Sequence, residues 1–221
     1  MGELTDRTSV VRAAVALADL EGLDAVSMGG LARRGGVSEA WLYRHLSGYD
    51  ELVTAMVDAV LSAPRVDAPR EAGWRELLEH EARQEWALYR EHPWALQALA
   101  TTRPPLGAAV LAAVDRYFTA LPNLDPQAAL SVYLLVSGYV QGMATLIAAE
   151  SSASRTTGIS NPQWWTTHLG KLAGAVETNR YPWLTALAED AGSQAGDVDT
   201  WFTFGLSRVL DGVAQYLATP Q

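Results

Sequence analysis

The sequence predicts an all-α chain in two parts, and three observations carry this reading. Apolar residues recur at three- and four-residue spacing along most of the 221 positions, with no strand-like alternation and no internal repeat. Glycine or proline closes several of these periodic runs, as expected of helix ends. Apolar residues make up 49% of the chain, enough for a sizeable core, and the length suits a small domain followed by a medium one, or a single large one.

Residues 6–21 place Val10, Val11, Ala14, Leu17, Ala18 and Leu20 at helical spacing, and Gly22 stops this first helix. Ser27 is set to cap a second helix whose inner face is Leu31 and Ala32. Gly35-Gly36 end it, because glycine takes φ > 0 at no steric cost. Ser38 caps a third helix running to about Leu46. Two short helices joined by a tight glycine turn read as a helix-turn-helix. Val37 and Leu42 face inward, which leaves Glu39, Ala40, Trp41, Tyr43, Arg44 and His45 on or near the outer face, a surface suited to touching a partner. A fourth helix, about Tyr49 to Leu61, turns Leu52, Val53, Met56, Val57 and Val60 inward. The expected organisation is therefore a reading head at 1–48, a connecting helix and linker at 49–70, and a second domain at 71–221.

The linker, residues 62–71, has two prolines and no periodicity. A long helix is expected over about 72–91, with Trp74, Leu77, Leu78, Leu88 and Tyr89 inward and Glu81 and Glu85 near the same side. His92-Pro93 breaks it, and a short helix follows from Trp94 to about Thr101. Arg103-Pro104-Pro105 starts another, to about Leu121. Residues 126–149 hold no charged residue, a length that can span a bilayer. Gln127, Ser131, Ser137, Gln141 and Thr145 interrupt it, so the expectation is a helix buried on several sides in a chain with no membrane span. A loop is expected at 151–160, helix over about 162–176 and 182–189, a break at 192–196, and a last helix at about 198–218.

Composition narrows the function. Cysteine is absent, so there is no disulfide, thiolate metal site or thiol switch, and a cytoplasmic location fits. The first residues lack the apolar stretch of a signal peptide. The net charge of −9 argues against broad, nonspecific binding to nucleic acid. Positive charge is local: Arg33, Arg34 and Arg44 against Glu39 give the helix-turn-helix a small positive face. Phosphate-binding, nucleophile-elbow and zinc-protease motifs are missing, and Glu81, Glu85 and the four histidines form no metal-ligand spacing. We expect no enzyme activity, cofactor or metal.

The pattern of Ala13-Ala14, Leu17, Glu21-Gly22-Leu23, Ser27, Leu31-Ala32, Gly36-Val37-Ser38, Leu42-Tyr43, His45 and Glu51-Leu52 resembles the N-terminal domain of TetR-type transcriptional regulators. The segments His92-Pro93-Trp94, Arg103-Pro104-Pro105-Leu106 and Tyr181-Pro182-Trp183-Leu184 resemble, more loosely, one subgroup of TetR-type ligand domains. The resemblance implies that the third helix enters the major groove of double-stranded DNA, at a palindromic operator bound by a homodimer. Glu39, Ala40 and Tyr43 would then meet base edges, with Ser27, Ser38, Trp41, Arg44, His45 and Tyr49 at the backbone or neighbouring bases. Two departures predict weaker electrostatic binding: Tyr49 stands where many members have a phosphate-gripping lysine, and Gly29-Gly30 replace polar or basic residues.

A second candidate site comes from spacing. Tyr133, Ser137, Gln141 and Thr145 recur every four residues on one stripe, with Gly138 and Gly142 about 100° further round. The glycine strip is assigned to a dimer contact and the polar stripe to the interior. There, with Glu81 and Glu85, the stripe would orient a small organic effector in a largely apolar cavity walled by Trp86, Tyr89 and Trp94. The reading adopted is a repressor released by such an effector. The alternative is a helical small-molecule-binding or adaptor protein that no longer binds DNA.

Overall fold

The computed structural model describes residues 4–69, 71–175, 181–183, 186 and 197–219. These are helical or irregular, with no strand among the described residues. The chain divides into two compact units, Met1–Ala144 with Val209–Gln221, and Thr145–Arg208.

In the first unit α1 spans Arg7–Glu21, capped by the Asp6 carboxylate on Ser9 N–H and ended at Gly22, φ 89°. A single 3-10 turn, Leu23–Ala25, leads to α2, Met28–Gly35, and α3, Glu39–Tyr43. Gly36, at φ 67°, makes the left-handed turn between α2 and α3. Val10, Ala14, Leu31, Leu42, Leu46, Leu52, Met56 and Val57 form the shared core of these helices with α4, Tyr49–Leu61. Leu20, grouped with the inner stripe of α1 by its spacing, is exposed. The expected third helix to Leu46 is shorter: regular helix stops at Tyr43, and the hydrogen bond from Leu46 N–H to the Leu42 carbonyl closes the following turn instead.

Beyond the irregular stretch 62–69, α5 covers Trp74–Glu91 and α6 covers Pro93–Leu99, the proline standing at the first helical position, where its missing N–H costs nothing. The next helix, α7, is Ala108–Ala120 and begins later than Arg103-Pro104-Pro105 suggested. Consecutive prolines hold the preceding backbone extended, and the helix starts only where a carboxylate from elsewhere receives its free N–H. That carboxylate is Asp58 of α4, which accepts from Ala109 N at 3.0 Å. Gly107 leaves room for it, since a Cβ there would stand 2.2 Å from Asp58 Oδ1. Helix α8, Pro126–Thr157, buries Val132, Val136, Val140 and Ala144. By length and composition α8 is long and apolar enough to cross a membrane.

The second unit takes up the end of α8. The loop expected at 151–160 is helical to Thr157, because Thr156 and Thr157 donate back to the carbonyls of Ser152 and Ala153 rather than breaking the helix. Gly158, φ 69°, ends it. Helix α9 follows at Asn161–Ala175. Helix α10, Val198–Ala218, begins in this unit and returns to the first. The helix expected at 182–189 and the break at 192–196 fall largely outside the described residues.

The junction of α3 and α4 is tied by one carboxylate. Glu51 accepts from Ser47 N and Ser47 Oγ, both at 2.7 Å, and pairs with Arg7, which also donates to the His45 carbonyl at 3.2 Å. The Ser47 N–H first, then the Ser47 hydroxyl and Arg7, pull the Glu51 pKa from 4.5 down to about 2. The folded value lies below the unfolded one, so this contribution to stability is complete above about pH 4.5 and is lost as pH falls toward 2. Replacing Glu51→Gln should lower the thermal midpoint at pH 7 and flatten its decline between pH 4.5 and 2, as followed by circular dichroism melts across that range.

Candidate functional sites: the exposed face of α3 and the cavity beside α5

At the N-terminal end, two serines shape the reading surface. Ser27 Oγ accepts from Gly30 N at 3.1 Å and starts α2, and Ser38 Oγ accepts from Trp41 N at 3.2 Å and starts α3. From α3 and the turn after it, Ser38, Glu39, Ala40, Tyr43 and Arg44 are exposed, while Trp41 and His45 are half-buried. His45 Nδ1 donates to the Trp41 carbonyl at 3.0 Å, and the two rings lie 4.1 Å apart, so they form one rigid pair. Glu39 leans back over α2: a Cβ on Gly29 would come within 2.9 Å of Glu39 Oε1. Arg34 is held by Glu21 of α1 through two hydrogen bonds, 2.9 and 3.1 Å. Of the three arginines counted in the positive face, Arg34 is thus already neutralised. Tyr49 is exposed at the start of α4, and burial together with the charges of Asp24 and Asp50 raises its pKa, so it stays a neutral donor.

The second site is a cavity of about 160 Å³ within the first unit, between α5, α7 and α8. Its apolar wall includes Val60, Leu61, Leu88, Leu99, Val110 and Ala113, and its polar lining includes Glu81, Glu85, Tyr89, Tyr117, Tyr133 and Gln141. The polar stripe of α8 does turn inward as far as Gln141; Thr145 is exposed. Ser137 Oγ donates to Glu85 Oε1 at 2.7 Å, Tyr89 OH donates to the same oxygen at 2.9 Å, and Gln141 Nε2 donates to Ser137 Oγ at 3.1 Å. Burial raises the pKa of Glu85 against the opposing pull of these donors. Glu81 has a different environment. Its Oε2 receives Arg65 Nη2 at 2.7 Å and Arg116 Nε at 2.8 Å.

Two expected wall residues lie elsewhere. Trp86 and Trp94 are buried but do not line the cavity. The indole N–H of Trp94 donates to Asp19 of α1 at 2.7 Å, and His92 Nδ1 lies 2.8 Å from the same oxygen, so this part of α6 anchors the N-terminal helices. Sequence reasoning also missed residues. Arg65 sits in the stretch expected as a linker, Arg116 is 35 positions from its partner, and Tyr117 follows the charged pair Asp115-Arg116, which points to a solvated face rather than to a cavity. Tyr117 OH is buried without a hydrogen-bond partner. Removing Glu81 would leave two guanidiniums facing each other, so Glu81→Ala should cost about 2 kcal/mol, less than for a fully buried pair because both arginines reach solvent. Urea denaturation at neutral pH measures this.

The profile for bacterial regulatory proteins of the tetR family matches residues 10–56, and the tetracyclin repressor-like C-terminal domain matches residues 67–217. A transcriptional repressor of Streptomyces coeruleorubidus, DrrR1, is 35% identical over 213 residues, which is 95% of this chain and 77% of that protein. Two structures of ActR from Streptomyces coelicolor are similar. The complex with (S)-DNPA has TM-score 0.75 and 26% identity, covering 97% of this chain and 99% of the other. The complex with actinorhodin has TM-score 0.76 and 25% identity, covering 97% of each.

Proposed function

Because this chain belongs to the TetR family of DNA-binding transcriptional repressors, we propose that it works as a homodimer on a palindromic operator and is released by a small organic effector held beside α5. Regulators of this family are in general non-enzymatic. The proposed division of labour is a reading head at 1–48, a connector at 49–70 and an effector and dimerisation part at 71–221, in a cytoplasmic protein.

The observation that carries the release step is the cavity wall. Val60 and Leu61, the last turn of α4, and Ala63, Pro64 and Arg65 just beyond it line the cavity directly. The other end of α4 is tied to α3 through Glu51, Ser47 and Arg7. A molecule filling the cavity therefore bears on a helix that also positions α3. For release, it must bind the DNA-free arrangement more tightly than the DNA-bound one. That ActR is known in complex with actinorhodin supports a small organic molecule in the same role here.

On the DNA side, the exposed positions of α3 support Ala40, Tyr43 and, once it swings from Gly29, Glu39 as base readers. The exposure of Arg44 and Tyr49 supports them as phosphate contacts, and Arg33 with Arg44 would supply the local positive charge. Duplex selected from random sequence should contain a palindrome. Tyr43→Ala should weaken its binding by roughly 1–3 kcal/mol if the side chain reads a base, whereas Arg44→Ala should weaken binding to all duplexes alike and make the salt dependence shallower, with fluorescence anisotropy as the readout. The absence of any enriched palindrome would remove the DNA-binding half of the proposal.

On the dimer side, Leu130, Leu134 and Leu135 of α8 are exposed, and added Cβ atoms at Gly138 and Gly142 would meet nothing within 4 Å. An open, apolar and flat helix face supports a two-fold contact with a second copy. Sedimentation equilibrium should give a dimer at micromolar concentration. Gly142→Leu should raise the monomer fraction without loss of helix content, since leucine favours helix more than glycine does.

A further inference from the structure

The two carboxylates in the cavity are not equivalent. Glu81 Oε2 takes up both Arg65 and Arg116. Glu85 is met by neutral donors: Ser137 and Tyr89 both end on Oε1, and Gln141 and Tyr117 also stand close enough to lower its pKa. Around it stand three tyrosines. Tyr89 touches Glu85 directly, and Tyr117 and Tyr133 meet edge to face with centroids 5.1 Å apart. In all three, burial raises the phenol pKa first and the negative charge of Glu85 adds to it, so the carboxylate acts electrically on every ring of the cluster. A carboxylate that lines a cavity among tyrosines, with no cation paired to it among the described residues, is an incomplete ion pair. Rings attract a cation through their electron-rich faces, and a carboxylate strengthens the same site. Tyr117 adds a second group: its buried hydroxyl makes no hydrogen bond of ordinary length, although it lies close enough to Glu85 to lower the pKa of that carboxyl.

Resting on the reading of this cavity as the effector site, we propose that the effector is a cationic amine on an apolar, ring-bearing body, its ammonium seated at Glu85 among Tyr89, Tyr117 and Tyr133 and an acceptor oxygen within reach of Tyr117. The arginines do not compete for Glu85, because Glu81 occupies both. An anionic effector would face Glu85 with no free cation on that side. The raised pKa of Glu85 gives a sign to the pH dependence. An ammonium pairs with the ionised carboxylate, so binding tightens as pH rises through the Glu85 titration, levels off above it, and weakens where the amine itself loses its proton.

Three matched probes test this on the full chain: 4-phenylbutylamine, 4-phenylbutan-1-ol and 4-phenylbutanoate. Each is titrated by calorimetry, and release of a selected duplex is followed in parallel by fluorescence anisotropy. The amine should bind at least about tenfold more tightly than the alcohol, as a charge-assisted contact and ring faces together would give. In Glu85→Gln the two should come within about twofold, with alcohol binding serving to show that the variant is folded. Equal or tighter binding of the alcohol, tightest binding of the carboxylate, or no binding of the amine overturns the amine assignment. If the alcohol or carboxylate binds and also releases duplex, the effector-site reading survives that loss. If the amine binds with the expected dependence on Glu85 while the duplex stays bound, the amine assignment stands and the effector-site reading fails.

Discussion

The carboxylate of Asp58 joins two parts of this chain that do different work. It lies on α4, whose apolar residues Leu52, Met56 and Val57 complete the core under the reading helix. Its oxygen receives the N-terminal N–H of α7, a wall of the cavity. Helix N-termini leave backbone donors without partners, and a carboxylate there satisfies both the hydrogen bond and the helix dipole. Because that carboxylate comes from another element, α7 cannot move relative to α4 without losing its cap. Gly107 keeps the approach open. One thirteen-residue helix is thereby constrained at three levels: by Glu51 at its start, by Asp58 near its end, and by the cavity lining at its last turn.

The cavity follows the same logic of imported partners. Glu81 on α5 is answered by Arg65 from the segment after α4 and by Arg116 from α7, so one ion cluster ties the segment after α4 to two helices that line the cavity. Breaking such a cluster is costly because it strands charge, which makes the wall stiff on that side. Glu85 lies one turn along α5 and has no such ion pair among the described residues. It is held only by neutral groups and carries a raised pKa.

Local chemistry was legible in the sequence, and long-range pairing was not. The serine caps, the left-handed glycine between α2 and α3, the end of α1 at Gly22 and the extent of α4 each depend on residues within a turn or two, and each stood where the residues placed it. The inward turn of Ser137 and Gln141 was readable because a four-residue repeat fixes a face. Arg65, Arg116, Tyr117 and Asp58 were not readable, since their partners are set by how helices meet and no spacing announces that. Trp94 misled for a related reason: an aromatic beside a proline break looked like a cavity wall, whereas its indole N–H has an acceptor on α1. The run 151–157 misled through composition, because serine and threonine hydroxyls can bond back onto a helix as easily as open a loop.

The proposed coupling is that α4 links the DNA face to the cavity, through its last turn in the cavity wall and through Asp58 at the start of α7. Hydrogen exchange at the first turn of α7, Ala108 to Leu111, tests this most directly, measured with and without a bound operator duplex that touches only the reading head. Protection there should rise on duplex binding in the native chain and stay unchanged in Asp58→Ala. An α7 turn that is indifferent to duplex in the native chain would contradict the account.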